Sequence, residues 1–146
     1  MELLSQISQV VREAGTIMLT ARDIESVTSQ KSSAADLVTA YDVEIENFLK
    51  ARLLPLVPGA IFYGEEEADN GNPLLGWAYI VDPIDGTANF TRNLSQSAIS
   101  VALLHDGVPQ YAVVLDPYRQ ELFTARRGCG AFCNGQPRLA VYSSFR

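Results

Sequence analysis

The chain has 146 residues, 47% hydrophobic and 19% charged, with a formal net charge of -6. That suffices for one domain with a real core and is ordinary for a soluble globular protein. The acidic balance argues against nucleic acid as a bulk partner, and no apolar run approaches the ~20 residues that span a bilayer. Glu2 and polar residues among the N-terminal leucines argue against a signal peptide, so the expected location is the cytoplasm.

Met1 to Ala21 is expected to be an amphipathic helix. Leu3, Ile7, Val10, Ala14, Ile17 and Ala21 recur at intervals of three and four, widened by Leu4, Val11 and Met18. Ser5, Gln9, Glu13 and Arg22 are left to face water. Asp23 to Ser29 reads as an extended link. Thr39-Ala40-Tyr41-Asp42 fits the pattern that opens a helix. Tyr41, Ile45, Phe48, Leu49 and Leu53 then make its buried face, and Pro55 and Pro58-Gly59 end it. As a capping acid, Asp42 needs no function to explain it.

Ala60 to Tyr63 reads as a short strand running into Gly64-Glu65-Glu66-Glu67. Standing alone, such a run of acids is a solvated face. Asp69 to Pro73 has strong turn chemistry and is expected to be a mobile lip. Trp77 to Val81 suits a buried strand. Pro83 lacks a donor and pushes Asp82 into an extended conformation, so the strand is expected to end there and Asp82 to Thr87 to form a tight turn. In such a turn the carboxylates of Asp82 and Asp85 face one point, joined by the Ile84 carbonyl. Hard oxygens at that spacing suit Mg²⁺. Gly86 permits a positive φ, and the amides of Gly86, Thr87 and Ala88 open a short helix toward an anion. Read blandly, the same residues are ordinary turn formers.

Ala98 to Leu104, Val108 to Leu115 and Glu121 to Ala125 are further strands, and Asn134-Gly135 signals a type I′ hairpin. Short strands at close spacing make an antiparallel meander. The expected elements are therefore two N-terminal helices followed by that meander. Cys129 and Cys133 lack a redox or zinc spacing and read as structural thiols. His105 is the sole histidine and reads as a surface residue, which leaves no multi-histidine metal site within the chain.

Three ordered strings resemble the inositol monophosphatase family, the lithium-sensitive Mg²⁺-dependent phosphatases. They are Lys31-Ser32-Ser33 through Asp36-Leu37-Val38-Thr39-Ala40-Tyr41-Asp42, then Gly64-Glu65-Glu66, then Asp82-Pro83-Ile84-Asp85-Gly86-Thr87 with Asn89-Phe90. Gly128 to Gly135 is similar to a further family string. The resemblance implies an α+β fold class, two N-terminal helices packed on a mainly antiparallel sheet, with residues 1–146 the N-terminal, metal-binding half of the family's sandwich. It implies a Mg²⁺-dependent phosphomonoesterase that hydrolyses a small polyol phosphate, foremost myo-inositol monophosphate, by two-metal activation of water. Glu65, Asp82, the Ile84 carbonyl and Asp85 are then the metal ligands. Asp42, Glu65 and Thr87 hold the attacking water and count as catalytic. Asp85, Gly86 and Thr87 meet the phosphate, and Lys31 and Glu66 lie close by. A homodimer or other self-association is expected from the same resemblance.

Family members continue past the point where this chain stops, to a Trp-Asp-x-Ala-Ala-Gly-type motif that supplies a further metal ligand. The expectation is a fragment of a longer enzyme, with a natural short form as the alternative, exposing apolar surface where the other half packs. Ala88 stands where the family commonly has a second threonine. Asn89-Phe90 favours the inositol branch over nucleotide 3′-phosphatases or fructose bisphosphatases, the alternative enzymes. A haloacid-dehalogenase-type phosphatase wants Asp-x-Asp-Gly-Thr, whereas here two residues separate the aspartates. A non-catalytic regulatory or interaction module is the remaining alternative. It is opposed by a self-repelling acidic cluster that such a module has no reason to hold.

Overall fold

Helix α1 (Leu3–Leu19) forms because one face of it is apolar: Ile7, Val10, Val11, Ala14 and Met18 are buried while Ser5 and Gln9 are exposed. The computed structural model describes residues 2–21, 24, 28–30, 37–66, 69 and 71–139. Arg22 and most of the link from Asp23 lie outside these residues. Strands β1 (Thr28–Gln30) and β2 (Leu37–Thr39) pair antiparallel, a small hairpin that the sequence pattern does not announce.

Helix α2 (Ala40–Leu53) starts on the expected capping box, with Thr39 at the N-cap and Asp42 reaching back to it. It ends in a 3-10 turn at Leu54–Leu56, around Pro55. Ile45, Leu49 and Leu53 are buried, and Tyr41 and Phe48 are half-buried. Arg52 of α2 pairs with Glu13 of α1 at 2.5 Å, tying the two helices at their exposed edge.

Among the described residues, seven strands form one sheet in the order β3 (Ile61–Tyr63), β4 (Trp77–Asp85), β5 (Ala98–His105), β6 (Val108–Asp116), β7 (Glu121–Arg126), β8 (Ala131–Cys133) and β9 (Gln136–Arg138). From β4 onward every neighbour pair is antiparallel; β3 alone lies parallel to β4, at the edge. Asn134 and Gly135 both have positive φ, the type I′ turn expected between β8 and β9. The α+β arrangement of two N-terminal helices on a mainly antiparallel sheet is thus the one the chain adopts.

Strand alternation sorts the sheet into two faces. Phe62, Tyr79, Val81, Ile99, Val101, Leu103, Val113 and Leu115 join the helices' apolar residues in one core. Each such burial contributes roughly 1.5–3 kcal/mol. Gly15 lets α1 come close, since a Cβ there would lie 2.6 Å from a Leu115 methyl. The opposite face carries Ile80, Asp82, Ala98, Ser100, Ala102 and Val114, all half-buried, and Phe123, which is exposed. His105 is exposed, as expected, and stacks on Trp77 at 4.4 Å. Cys129 is exposed and Cys133 buried, both as free thiols.

One boundary differs from expectation. The strand does not end at Asp82; β4 runs on to Asp85, with an irregular register against β5 between those two residues. The irregularity takes Pro83 out of the ladder, so its missing N–H costs no hydrogen bond. The site acids therefore stand on the end of a strand rather than in a free turn. Among the described residues, no helix is long and apolar enough to cross a membrane.

Candidate active site

The N-terminus of α2 delivers Asp42, which is fully buried. Its Oδ2 accepts hydrogen bonds from the Thr39 N–H at 2.8 Å and the Thr39 hydroxyl at 2.5 Å. Its Oδ1 accepts from the Thr87 hydroxyl at 3.0 Å. Thr87 Oγ1 also lies 3.0 Å from the Ile84 carbonyl oxygen. A hydroxyl has one proton and two lone pairs, so Thr87 serves one of these acceptors at a time. Asp42 therefore communicates with the end of β4 through Thr87.

The end of β4 delivers Asp82, Ile84 and Asp85. Asp82 is half-buried, and its Oδ1 has no hydrogen-bond partner among the described residues. Its pKa is pushed up to about 7, first by burial, then by the charge and hydrogen-bonding proximity of Glu65, then by the charge of Asp85; the Ile84 N–H pulls the other way. Glu65 and Asp85 are themselves exposed. Gly86 follows at φ +89°, where a Cβ would press to 3.0 Å on the Gln96 carbonyl, so glycine is required twice over. Its own carbonyl accepts from Ser97 Oγ at 3.1 Å, while Asn89 Nδ2 donates to the Gln96 carbonyl at 3.0 Å. These bonds fix the turn into helix α3 (Thr87–Thr91).

The third contributor is the loop after β3, which carries Glu65 and Glu66, and α2 holds it at two points. Glu46 Oε2 accepts from the Glu66 N–H at 2.9 Å. Further along the helix, Lys50 Nζ pairs with Asp69 Oδ1 at 2.6 Å. Asp69 also exchanges bonds with Phe62, accepting its N–H at 2.8 Å and donating to its carbonyl at 2.8 Å. The Lys50 ammonium and then the Phe62 N–H hold the Asp69 carboxyl below the usual carboxylate range. The expected mobile lip is thus anchored at its first residue. Lys31 and Glu67 lie outside the described residues.

The structure brings Asp42, Thr87 and Ile84 together by hydrogen bonds, and places Glu65 and Asp85 near enough to Asp82 to raise its pKa. Among the described residues, no three Asp, Glu, His or Cys side chains close into a metal-ligand geometry. The donor set nonetheless fits a hard divalent cation. It offers a buried carboxylate oxygen lacking any hydrogen bond, two further carboxylates, and a carbonyl with a lone pair to spare. A polar cleft of about 420 Å³ opens beside it, lined by Asp85, Gly86, Asn89, Gln96, Asp116 and Arg119.

Two of these residues escape the sequence reading. Glu46 is signalled only weakly: it sits one turn after Asp42 and three before Leu49, so it interrupts the apolar stripe of α2. Arg119, which pairs loosely with Asp116 at 3.8 Å, belongs to a turn whose position beside Asp85 depends on the meander closing.

The family model described as "Inositol monophosphatase family" matches residues 1–144. Inositol monophosphatase 2 of Homo sapiens is 38% identical over 136 residues, covering 91% of this chain and 47% of that protein. The chain thus spans about half the length of the curated relatives it matches. The Thermotoga maritima IMPase superposes with a TM-score of 0.85 at 26% identity, over 98% of this chain and 55% of that one. SaIMPase-II has been crystallised with inositol monophosphate bound (TM-score 0.78, 27% identity, 97% of this chain and 50% of that one) and with 2′AMP bound (TM-score 0.73, 30% identity, 91% and 48%).

Proposed function

The chain belongs to the inositol monophosphatase family, and on that premise we propose that it supplies the cation- and phosphate-binding part of a Mg²⁺-dependent phosphomonoesterase. Its substrate is a small polyol phosphate, myo-inositol monophosphate first. The observation that carries the reading is the buried Oδ1 of Asp82, which has no hydrogen-bond partner among the described residues and lies near Glu65 and Asp85. A protein leaves such an atom unsatisfied at a cost of about 1–3 kcal/mol unless something else meets it. Glu65, Asp82, Asp85 and the Ile84 carbonyl would hold Mg²⁺, which when bound neutralises phosphate charge and lowers the pKa of the attacking water.

The rest falls to the chain's own residues. Asp42 orients the Thr87 hydroxyl by accepting its proton at Oδ1. A Thr87 lone pair is then left to accept a hydrogen bond from water, which aims that water. The backbone amides of Gly86 and Thr87 bind phosphate oxygens, and Asp85 borders the cleft that takes the polyol. Phosphoryl transfer needs mainly positioning and charge neutralisation, and both are provided for here. On this reading the enzyme works in the cytoplasm, is inhibited by Li⁺ and pairs with a second copy.

The 2′AMP bound to SaIMPase-II supports a second reading, a nucleotide phosphate as substrate. The test is phosphate release by the 146-residue chain from myo-inositol monophosphate and from 2′-AMP, with Mg²⁺ titrated and Li⁺ added. Mg²⁺-dependent, Li⁺-inhibited release from the inositol substrate is expected. Faster release from 2′-AMP selects the second reading. Cation binding without any release assigns the chain to the non-catalytic alternative.

A further inference from the structure

We infer that Glu46 is a positioning residue that sets the Glu65 carboxylate against Asp82, by holding the loop backbone on both sides of Glu65. The inference rests on the cation reading of Glu65 and Asp82 given above. Glu46 is only 2% exposed. On α2 it lies one turn beyond Asp42 and one turn short of Lys50, so the three side chains share a face. Each is used on a different part of the site: Asp42 on Thr87, Glu46 on the Glu66 N–H, Lys50 on Asp69.

The contact at Gly64 makes the arrangement specific. Gly64 is not among the glycines with positive φ, so its backbone would accept other residues. What it lacks room for is a side chain: a Cβ there would lie 2.5 Å from the Glu46 carboxyl carbon and 2.5–2.7 Å from its oxygens. The Glu46 carboxylate fills the space beside Gly64 and bonds the amide that follows Glu65. Glu65 is thereby fixed from before by contact and from after by a hydrogen bond. Outer partners of this kind orient the groups that meet a cation and are worth ~10–100-fold in its affinity.

The test is Mg²⁺ affinity of the 146-residue chain, by calorimetry, in four variants. Glu46→Ala is expected to weaken Mg²⁺ binding ~10–100-fold. Glu46→Gln keeps an oxygen acceptor for the Glu66 N–H and is expected to stay within about threefold of the parent chain. Gly64→Ala displaces the carboxylate without removing it and is expected to match Glu46→Ala. The double variant is expected to be no weaker than either single one, because both remove the same contact. Parent-like affinity in Gly64→Ala and Glu46→Ala overturns the inference, as do losses that simply add. If Glu46→Ala does not fold, Gly64→Ala and Glu46→Gln decide it between them. A parent chain that binds no Mg²⁺ overturns the cation reading and this inference with it; a parent chain that binds while all variants bind equally overturns this inference alone.

Discussion

The start of α2 and the end of β4 each bring an aspartate to the same place, and the two acids are treated in opposite ways. Asp42 is fully buried yet receives three hydrogen bonds, from Thr39 twice and from Thr87. Asp82 is less buried, but one of its oxygens has no partner, and Glu65 and Asp85 raise its pKa further beyond the effect of burial. Depth alone does not decide how an acid fares; the partners within reach do. An acid that the protein satisfies is a fixed orienting group. On the proposed function, an acid that the protein leaves short of partners is a seat for something from outside.

That contrast can be broken from either side. The largest effect is expected from Asp82→Asn, which removes what the proposed function makes a direct ligand and should cost more Mg²⁺ affinity than the ~10–100-fold of an outer partner. The same change should leave the metal-free chain at least as stable at pH 8, because a repelled carboxylate is gone; calorimetry and urea unfolding read the two halves. Thr87→Val breaks the α2 side. It strands Asp42 Oδ1 without a donor and is expected to cost about 1–3 kcal/mol in urea unfolding, with Thr87→Ser restoring most of it. Thr39→Ala removes the N-cap and one bond to Asp42, for about 0.5–2 kcal/mol by the same measurement.

The smallest effect is that of pH on the metal-free chain. Burial, Glu65 and Asp85 push the Asp82 carboxyl in the folded chain up to about 7, from an ordinary value of 3.8. Its folded-state pKa is the higher one, so the folded form binds the proton more tightly. The stabilisation is complete below about pH 4 and is lost as pH rises through about 7. Partial solvent exposure screens the repulsion and keeps the change modest. The melting temperature should therefore fall between pH 5 and pH 8, and Asp82→Asn should flatten the difference.

Much of this was legible in the residues. The capping box at Thr39 and Asp42, the meander and the Asn134-Gly135 turn follow from local patterns, and local patterns survive folding. The three acidic strings also stand in the sequence, although their convergence depends on long-range pairing of β3 with β4. The extent of β4 was not legible, because Pro83 ends a ladder unless the register slips around it, and the slip belongs to β5 as much as to β4. Glu46 and Lys50 follow Asp42 at four-residue spacing on α2, and that spacing does not tell what they meet. Only the packed loop gives them Glu66 and Asp69 as partners.

The measurement that bears most directly on the Asp82 seat is urea unfolding at pH 8 with and without Mg²⁺, in the parent chain and in Asp82→Asn. A ligand that binds only the folded form adds ~2.7 kcal/mol at a hundredfold excess over its Kd. The parent chain is expected to gain stability of that order and Asp82→Asn to gain none. Equal gains in both chains, or no gain in the parent, would contradict the assignment of that partnerless oxygen to a divalent cation.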